Sequence, residues 1–178
     1  MIGLCLTGRP LSAQSNFFEV AGGYIHFTSD APLELIEARS DQLKGLIDPE
    51  KNTFAFSVPM SSFEGFNSPL QKEHFNENYL ESPKYPKATF AGKIIEDIDY
   101  SQDGEYTIRA KGRMNIHGVE RERIIRSRLR IEDGKWTVSS EFTVLLQEHN
   151  ITIPRIVYQK IAEEIKVVLE AEFQKQAP

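Results

Sequence analysis

The side chains best suited to acid–base or metal chemistry in this 178-residue chain are its four histidines, His26, His74, His117 and His149. No two stand at i, i+2 or i, i+4, the spacings that aim two imidazoles at one ion, so as a set they are weak metal ligands. His117 ends an alternating run and precedes Gly118. It reads first as a turn histidine bonded to nearby backbone, and second as a contact for a polar ligand head group. His149, flanked by Glu148 and Asn150, is placed to join a head-group or metal site, with Asn150 as its companion. His74 lies in a polar helical stretch and reads as a cap or packing residue; His26 lies on the polar side of a strand and needs no special role. The carboxylates Asp97, Asp99, Glu163 and Glu164 fall in turns or at strand ends, without the partner geometry that general acid–base catalysis needs. Ser61–Ser62 and Ser139–Ser140 lack a nucleophile elbow. Ala21-Gly22-Gly23 precedes a strand rather than a helix, which disqualifies it as a phosphate loop. One cysteine, Cys5, excludes an intrachain disulfide and a cysteine zinc cage. The expectation is a protein that is not an enzyme, with no catalytic residue, no cofactor and no metal.

The elements that must position these groups are strands. Tyr106, Ile108, Ala110, Gly112, Met114 and Ile116 alternate with Thr107, Arg109, Lys111, Arg113, Asn115 and His117. The same period of two runs through Ile125–Ile131, Trp136–Leu146 and Ile165–Phe173. Phe54, Phe56 and Val58 share one face, as do Ala88, Phe90, Gly92 and Ile94; weaker runs cover Gly23–Ser29 and Leu33–Gly45. Eleven Phe and six Tyr favour this class. About eight strands result, separated by turn signals at Asp48-Pro49, Gln102-Asp103-Gly104 and Asp133-Gly134. Two segments break the pattern: Pro69–Tyr79 has helical spacing, and Pro154–Ala162 reads as a short helix opened by its proline.

A dry face and a wet face on every strand fit a sandwich or a sheet closed on itself. Long consecutive strands with short turns favour the closed up-and-down barrel, which removes exposed edges. The fold class expected is all-β: an eight-stranded antiparallel lipocalin-like closed barrel with one or two short helices. An outer-membrane barrel is disfavoured, because the second face carries Arg109, Lys111, Arg113, Arg126, Arg128 and Arg130. These cations are expected to point outward and to pair across strands with Glu141, Glu170 and Glu172. A net charge of −5 argues against a nucleic-acid binder. No run of eighteen apolar residues exists in the sequence. Small inward residues (Ala110, Gly112, Ser127, Ser140, Ala171) beside bulky ones leave two readings open: an elongated apolar cavity or an ordinary filled core.

Two segments carry a family resemblance. His74-Phe75-Asn76-Glu77-Asn78-Tyr79-Leu80-Glu81-Ser82-Pro83-Lys84-Tyr85-Pro86-Lys87-Ala88-Thr89-Phe90 resembles the signature of the YceI-like family, in which a His-containing helical stretch leads into Lys-Tyr-Pro-x-Ala-x-Phe. Gly112-Arg113-Met114-Asn115-Ile116-His117-Gly118-Val119 is similar to that family's Gly-x-Leu-x-Ile-His-Gly-Val. The resemblance extends over about Phe18–Gln174. It implies a lipocalin-like barrel that binds a polyisoprenoid or similar amphiphile inside, in a protein exported to the periplasm. The sequence departs from the family at Gln71-Lys72, where Arg-Asp is usual. It departs again at Gln147-Glu148-His149-Asn150-Ile151, where Arg-Ser-Asp-Phe-Gly is usual.

The function expected is non-catalytic binding, sequestration or transport of a long-chain isoprenoid or related lipid. Phe54, Phe56, Val58, Ile108, Met114, Leu129, Trp136, Val138, Phe142, Val144, Val167 and Leu169 would line the cavity. His117, His149 and Asn150 would contact the head group. The alternatives are a hydrolase or metal-dependent enzyme at the barrel mouth using His117 and His149, and a filled barrel serving as an envelope stress or interaction protein. The partner expected is a polyisoprenoid or other long-chain amphiphile, with no nucleic acid and no transmembrane segment; a homodimer is left open. Residues 1–15 read as a truncated signal peptide or disordered leader, with a cleavage signal after Ala13, and 16–178 as the single YceI-like β-barrel domain. Cys5 fits no lipoprotein site, because Leu4 is too large for the residue before it. The location expected is periplasmic or secreted.

Overall fold

The structure, a computed structural model, describes residues 16–176; the expected leader at 1–15 lies outside the described residues. Nine strand segments are formed: β1 (Phe18–Asp30), β2 (Leu35–Ser40), β3 (Lys44–Asp48), β4 (Thr53–Pro59), β5 (Lys87–Ile94), β6 (Gly104–Ile116), β7 (Val119–Glu132), β8 (Lys135–Leu145) and β9 (Glu164–Lys175). β2 and β3 both lie against β1, through Ile25↔Ser40 and Phe18↔Ile47, and so occupy one interrupted position. Antiparallel pairing then follows chain order to β9, and β1–β9 closes the ring. The fold is an eight-stranded antiparallel closed barrel.

Local chemistry explains the strand breaks. β6 turns into β7 through His117 (φ 53°) and Gly118 (φ 73°), and β7 turns into β8 through Asp133 (φ 50°) and Gly134 (φ 74°). Two successive positive φ values make type I′ turns, whose twist matches the flanking strands. In β6, Ile108, Ala110 and Met114 are buried while Arg109, Lys111 and Arg113 are exposed, so the period-two pattern sets the inner and outer faces. Five of the six cations on the outer face do pair, all but Arg126 among the described residues, but with other glutamates than expected. The partners are Arg109–Glu96, Lys111–Glu122, Arg113–Glu120, Arg128–Glu105 and Arg130–Glu132. The stagger of β6 against β5 and β7 decides this: it brings Glu96, Glu105, Glu120 and Glu122 alongside, whereas Glu170 lies opposite Ser139 on β8.

Chain direction sorts the connections. The β3–β4, β5–β6 and β7–β8 turns lie at one end. The other end holds the β1–β2 turn, the long β4–β5 connection, the β6–β7 turn and the β8–β9 connection. Pro69–Tyr79 is helical as expected: α1 (Pro69–His74) continues into a wider turn at Phe75–Tyr79. Ser68 caps α1 by accepting from Gln71 N at 3.2 Å, and Pro69 occupies the first turn, where its missing N–H costs nothing. Phe75 anchors the segment over the barrel, stacking on Phe27 with centroids 5.4 Å apart. The second stretch, Pro154–Ala162, forms only one 3₁₀ turn at Arg155–Val157. Local bonds keep it in successive tight turns (Val157 N to Pro154 O, Tyr158 N to Arg155 O, Lys160 N to Val157 O), and two others reach outward: Gln159 O accepts from Leu33 N at 2.9 Å, and Ala162 N donates to Ser29 Oγ at 2.9 Å. The two outward bonds hold it as a strap beside the β1–β2 turn.

Candidate functional site

The barrel is hollow rather than filled. A cavity of about 490 Å³ runs along its axis, within the range of about 300–1,000 Å³ usual for ligand sites. Ile47, Phe54, Ile94, Ile108 and Val138 surround its deep end; Phe56, Val58, Phe90, Ala110, Met114, Val167 and Leu169 form the middle. Phe142, Val144, Ile116 and Ile165 lie towards the long connections, where Ser68, Leu70, Gln71, His74, Val157 and Lys160 border the opening. From Val138 to Val144 is six steps of about 3.3 Å, a wall about 20 Å long. Few polar groups interrupt it. Ser127 Oγ and Ser140 Oγ, directly opposite each other on β7 and β8, bond to one another at 2.5 Å. Ser29 Oγ accepts from the strap. Hydroxyls satisfied by protein leave a wall that offers apolar surface.

The far end is plugged by stacked rings. Trp136 lies between Phe18 (centroids 3.6 Å) and Tyr100 (4.8 Å). Burial, with Asp97 nearby, pushes the Tyr100 phenol up to about 12. Its hydroxyl donates to Asn52 Oδ1.

Ten of the expected wall residues stand on the cavity: Phe54, Phe56, Val58, Ile108, Met114, Val138, Phe142, Val144, Val167 and Leu169. Leu129 and Trp136 do not. Both point inward and are buried, but Trp136 is the plug, and Leu129, opposite Tyr106 and Val138, is covered by its neighbours. Alternation states which way a side chain points, not how far along the axis it lies.

The expected head-group residues His117, His149 and Asn150 are absent from the cavity wall. The structure does bring the two family-like segments together around them. His117 Nε2 meets Glu81 Oε2 at 2.6 Å, and its Nδ1 meets His149 O at 3.1 Å. The Tyr85 ring packs edge-on against His117, with centroids 4.7 Å apart. A Cβ on Gly118 would stand 2.4 Å from Tyr85 Cε1, so glycine is required there for contact as well as for φ. Asn150 is exposed and ends the Leu146–His149 turn in the left-handed region. These residues therefore tie the β6–β7 turn to the neighbouring connections. Among the described residues, no three His, Cys, Asp or Glu side chains are grouped to hold a metal.

The polar residues at the opening are Glu34, Ser68, Gln71, His74 and Lys160. Glu34 Oε1 accepts from Gln71 Nε2 at 2.9 Å. Two of them had a signal in the sequence, Gln71 as a departure from the family pattern and His74 as the histidine of the family-like helical stretch; Glu34, Ser68 and Lys160 reach the opening by tertiary placement alone.

His149 is fully buried, with Nδ1 3.1 Å from Val119 O, and among the described residues its Nε2 has no hydrogen-bond partner. Burial lowers its pKa, against the raising effect of the Val119 and Ile116 carbonyls and Glu148. With the folded value below the unfolded one of about 6.5, its contribution to stability is whole above that pH. It is lost as the pH falls from there through the depressed folded value. Between pH 7 and pH 5, denaturation midpoints of the wild type are expected to fall more than those of His149→Gln. Equal slopes would assign the acid sensitivity elsewhere.

Comparison with known proteins follows the same lines. A family model described as the YceI-like domain matches residues 16–173. A solved structure of a polyisoprenoid binding domain from Saccharophagus degradans, implicated in plant cell wall breakdown, superposes with a TM-score of 0.75. It is 12% identical, over 89% of this chain and 98% of that one. BcnA of Burkholderia cenocepacia superposes at 0.70 with 13% identity, over 84% and 95%. The Campylobacter jejuni YceI protein superposes at 0.54 with 14% identity, over 99% and 94%. At these identities the structures speak for the fold. No curated protein matches the sequence significantly.

Proposed function

Because the chain belongs to the YceI-like family, we propose that its barrel binds, and sequesters or carries, a long-chain isoprenoid or related lipid without altering it chemically. One observation carries the reading: the cavity is long, apolar, plugged at one end and open at the other. A chain threaded from the open end would remove apolar surface on both partners from water, worth about 25 cal/mol per Å² before association costs. A head group would rest at the mouth, where Gln71 and Lys160 supply donors and Glu34 an acceptor. The likeness to a polyisoprenoid binding domain supports the choice of ligand class. Action in the periplasm or outside the cell belongs to the same proposal, supported by the leader-like residues 1–15 and the lone cysteine within them.

Mass spectrometry of solvent extracts from purified protein tests this. A polyprenyl or other long-chain species at near one per chain is the expected result. A blank extract, together with no uptake of added polyprenol, would count decisively against the reading.

A further inference from the structure

The apolar surface of the cavity does not stop at the mouth. On the strap 154–162, Val157 and Ile161 line the cavity, while Ile156 is 92% exposed and Tyr158 56% exposed. Leu33 (66% exposed) is tied to the strap by its N–H on Gln159 O. Leu70 (57% exposed) stands across the opening at the start of α1. Large aliphatic side chains this open are uninformative singly, but grouped on one rim they mark an interaction surface. The strap carries Arg155 and Lys160 and no acid of its own, in a chain of net charge −5. Neither cation is in an ion pair among the described residues.

We propose that this rim docks on a phospholipid bilayer, with Ile156, Tyr158, Leu33 and Leu70 entering the interface and Arg155 and Lys160 meeting lipid phosphates, so that a chain passes between bilayer and cavity without crossing water. Exposed apolar side chains next to an aromatic ring and long basic ones are the chemistry of an interfacial segment. The exposed Glu163 and Glu164 that follow the strap offset part of the attraction to phosphate, so the apolar side chains carry the larger share. The inference rests on the reading of the cavity as a lipid site, because only a membrane-derived ligand gives the docked mouth a purpose.

The test is sedimentation of the full chain with phosphatidylcholine vesicles, with and without phosphatidylglycerol. Ile156→Ser/Tyr158→Ser should weaken vesicle binding about tenfold. Arg155→Ala and Lys160→Ala should each weaken it about fivefold, and only when phosphatidylglycerol is present. Both substituted apolar positions are exposed, so the melting temperature should stay unchanged. Uptake of geranylgeraniol delivered from ethanol should also be unchanged in the double variant, while extraction from vesicles should fall. A wild type that fills from ethanol but ignores vesicles would overturn the docking surface and leave the cavity reading standing. Vesicle binding without geranylgeraniol uptake would support the surface and remove the cavity reading. If instead the wild type dimerises, the double variant is monomeric and neither binds vesicles, the rim is a contact between two copies and the proposal fails.

Discussion

Val138→Asp is expected to remove lipid binding and to destabilise the barrel by about 3–5 kcal/mol. Val138 is buried on β8 at the deep end of the cavity, between Leu129 on β7 and Ala171 on β9. The hydroxyls of Ser127 and Ser140, on the neighbouring wall, bond to each other, which leaves one O–H between them to donate, too little to replace the hydration of a carboxylate. The new side chain must ionise unpaired, stay protonated at neutral pH, or draw water into the cavity, and each course costs free energy that Val138 does not. Urea denaturation at pH 7 reads the stability, and polyprenol uptake reads the binding. Should the variant prove too unstable, Phe142→Asp places the same charge nearer the mouth, where water is closer and folding is better preserved. A folded variant of either kind that binds as well as wild type would take that residue out of the proposed lining.

The second large effect is expected from Gly112→Ala. Gly112 and Gly92 face each other across β5 and β6, and here the strands come closer than side chains permit. A Cβ on Gly112 would sit 2.3 Å from Ala91 O, and one on Gly92 would sit 2.1 Å from Lys111 O. The obstacle is backbone, so no rotamer change relieves it; the strands must part or their ladder must slip. The penalty should be about 3 kcal/mol, which lowers the melting temperature by about 6–12 °C in a domain of this size. Gly22→Ala is the matched control, because among the described residues nothing lies within 4 Å of its added methyl. A melting temperature for Gly112→Ala equal to that of the control would show that the pair is not a steric requirement.

The different fates of the expected residues have a common cause. Val138, Phe142 and Val144 share a parity on β8, and that parity does aim them inward. Trp136 has the same parity and is buried, yet it closes the barrel between Phe18 and Tyr100 instead of lining it. His117 and His149 are the chemically richest residues in the sequence, but the I′ turn at His117-Gly118 directs one imidazole onto Glu81 and a backbone carbonyl. The other imidazole is buried against Val119 O. The matching stretches around Tyr85 and His117 therefore meet as a structural latch. Groups that reach the opening, such as Glu34 and Lys160, carry no local mark at all.

Alternation, glycine placement and turn residues are local properties, and they were enough to determine an all-β barrel, its inner and outer faces and several of its turns. Family-like motifs added the class of ligand to propose. Depth along the barrel axis, the partners of the outer cations, the rings that plug one end and the side chains that ring the other were decided only by tertiary structure. The physical reason is that each depends on the stagger between strands and on where long connections fold back. Both arise from contacts between residues far apart in the chain, to which a period of two is blind.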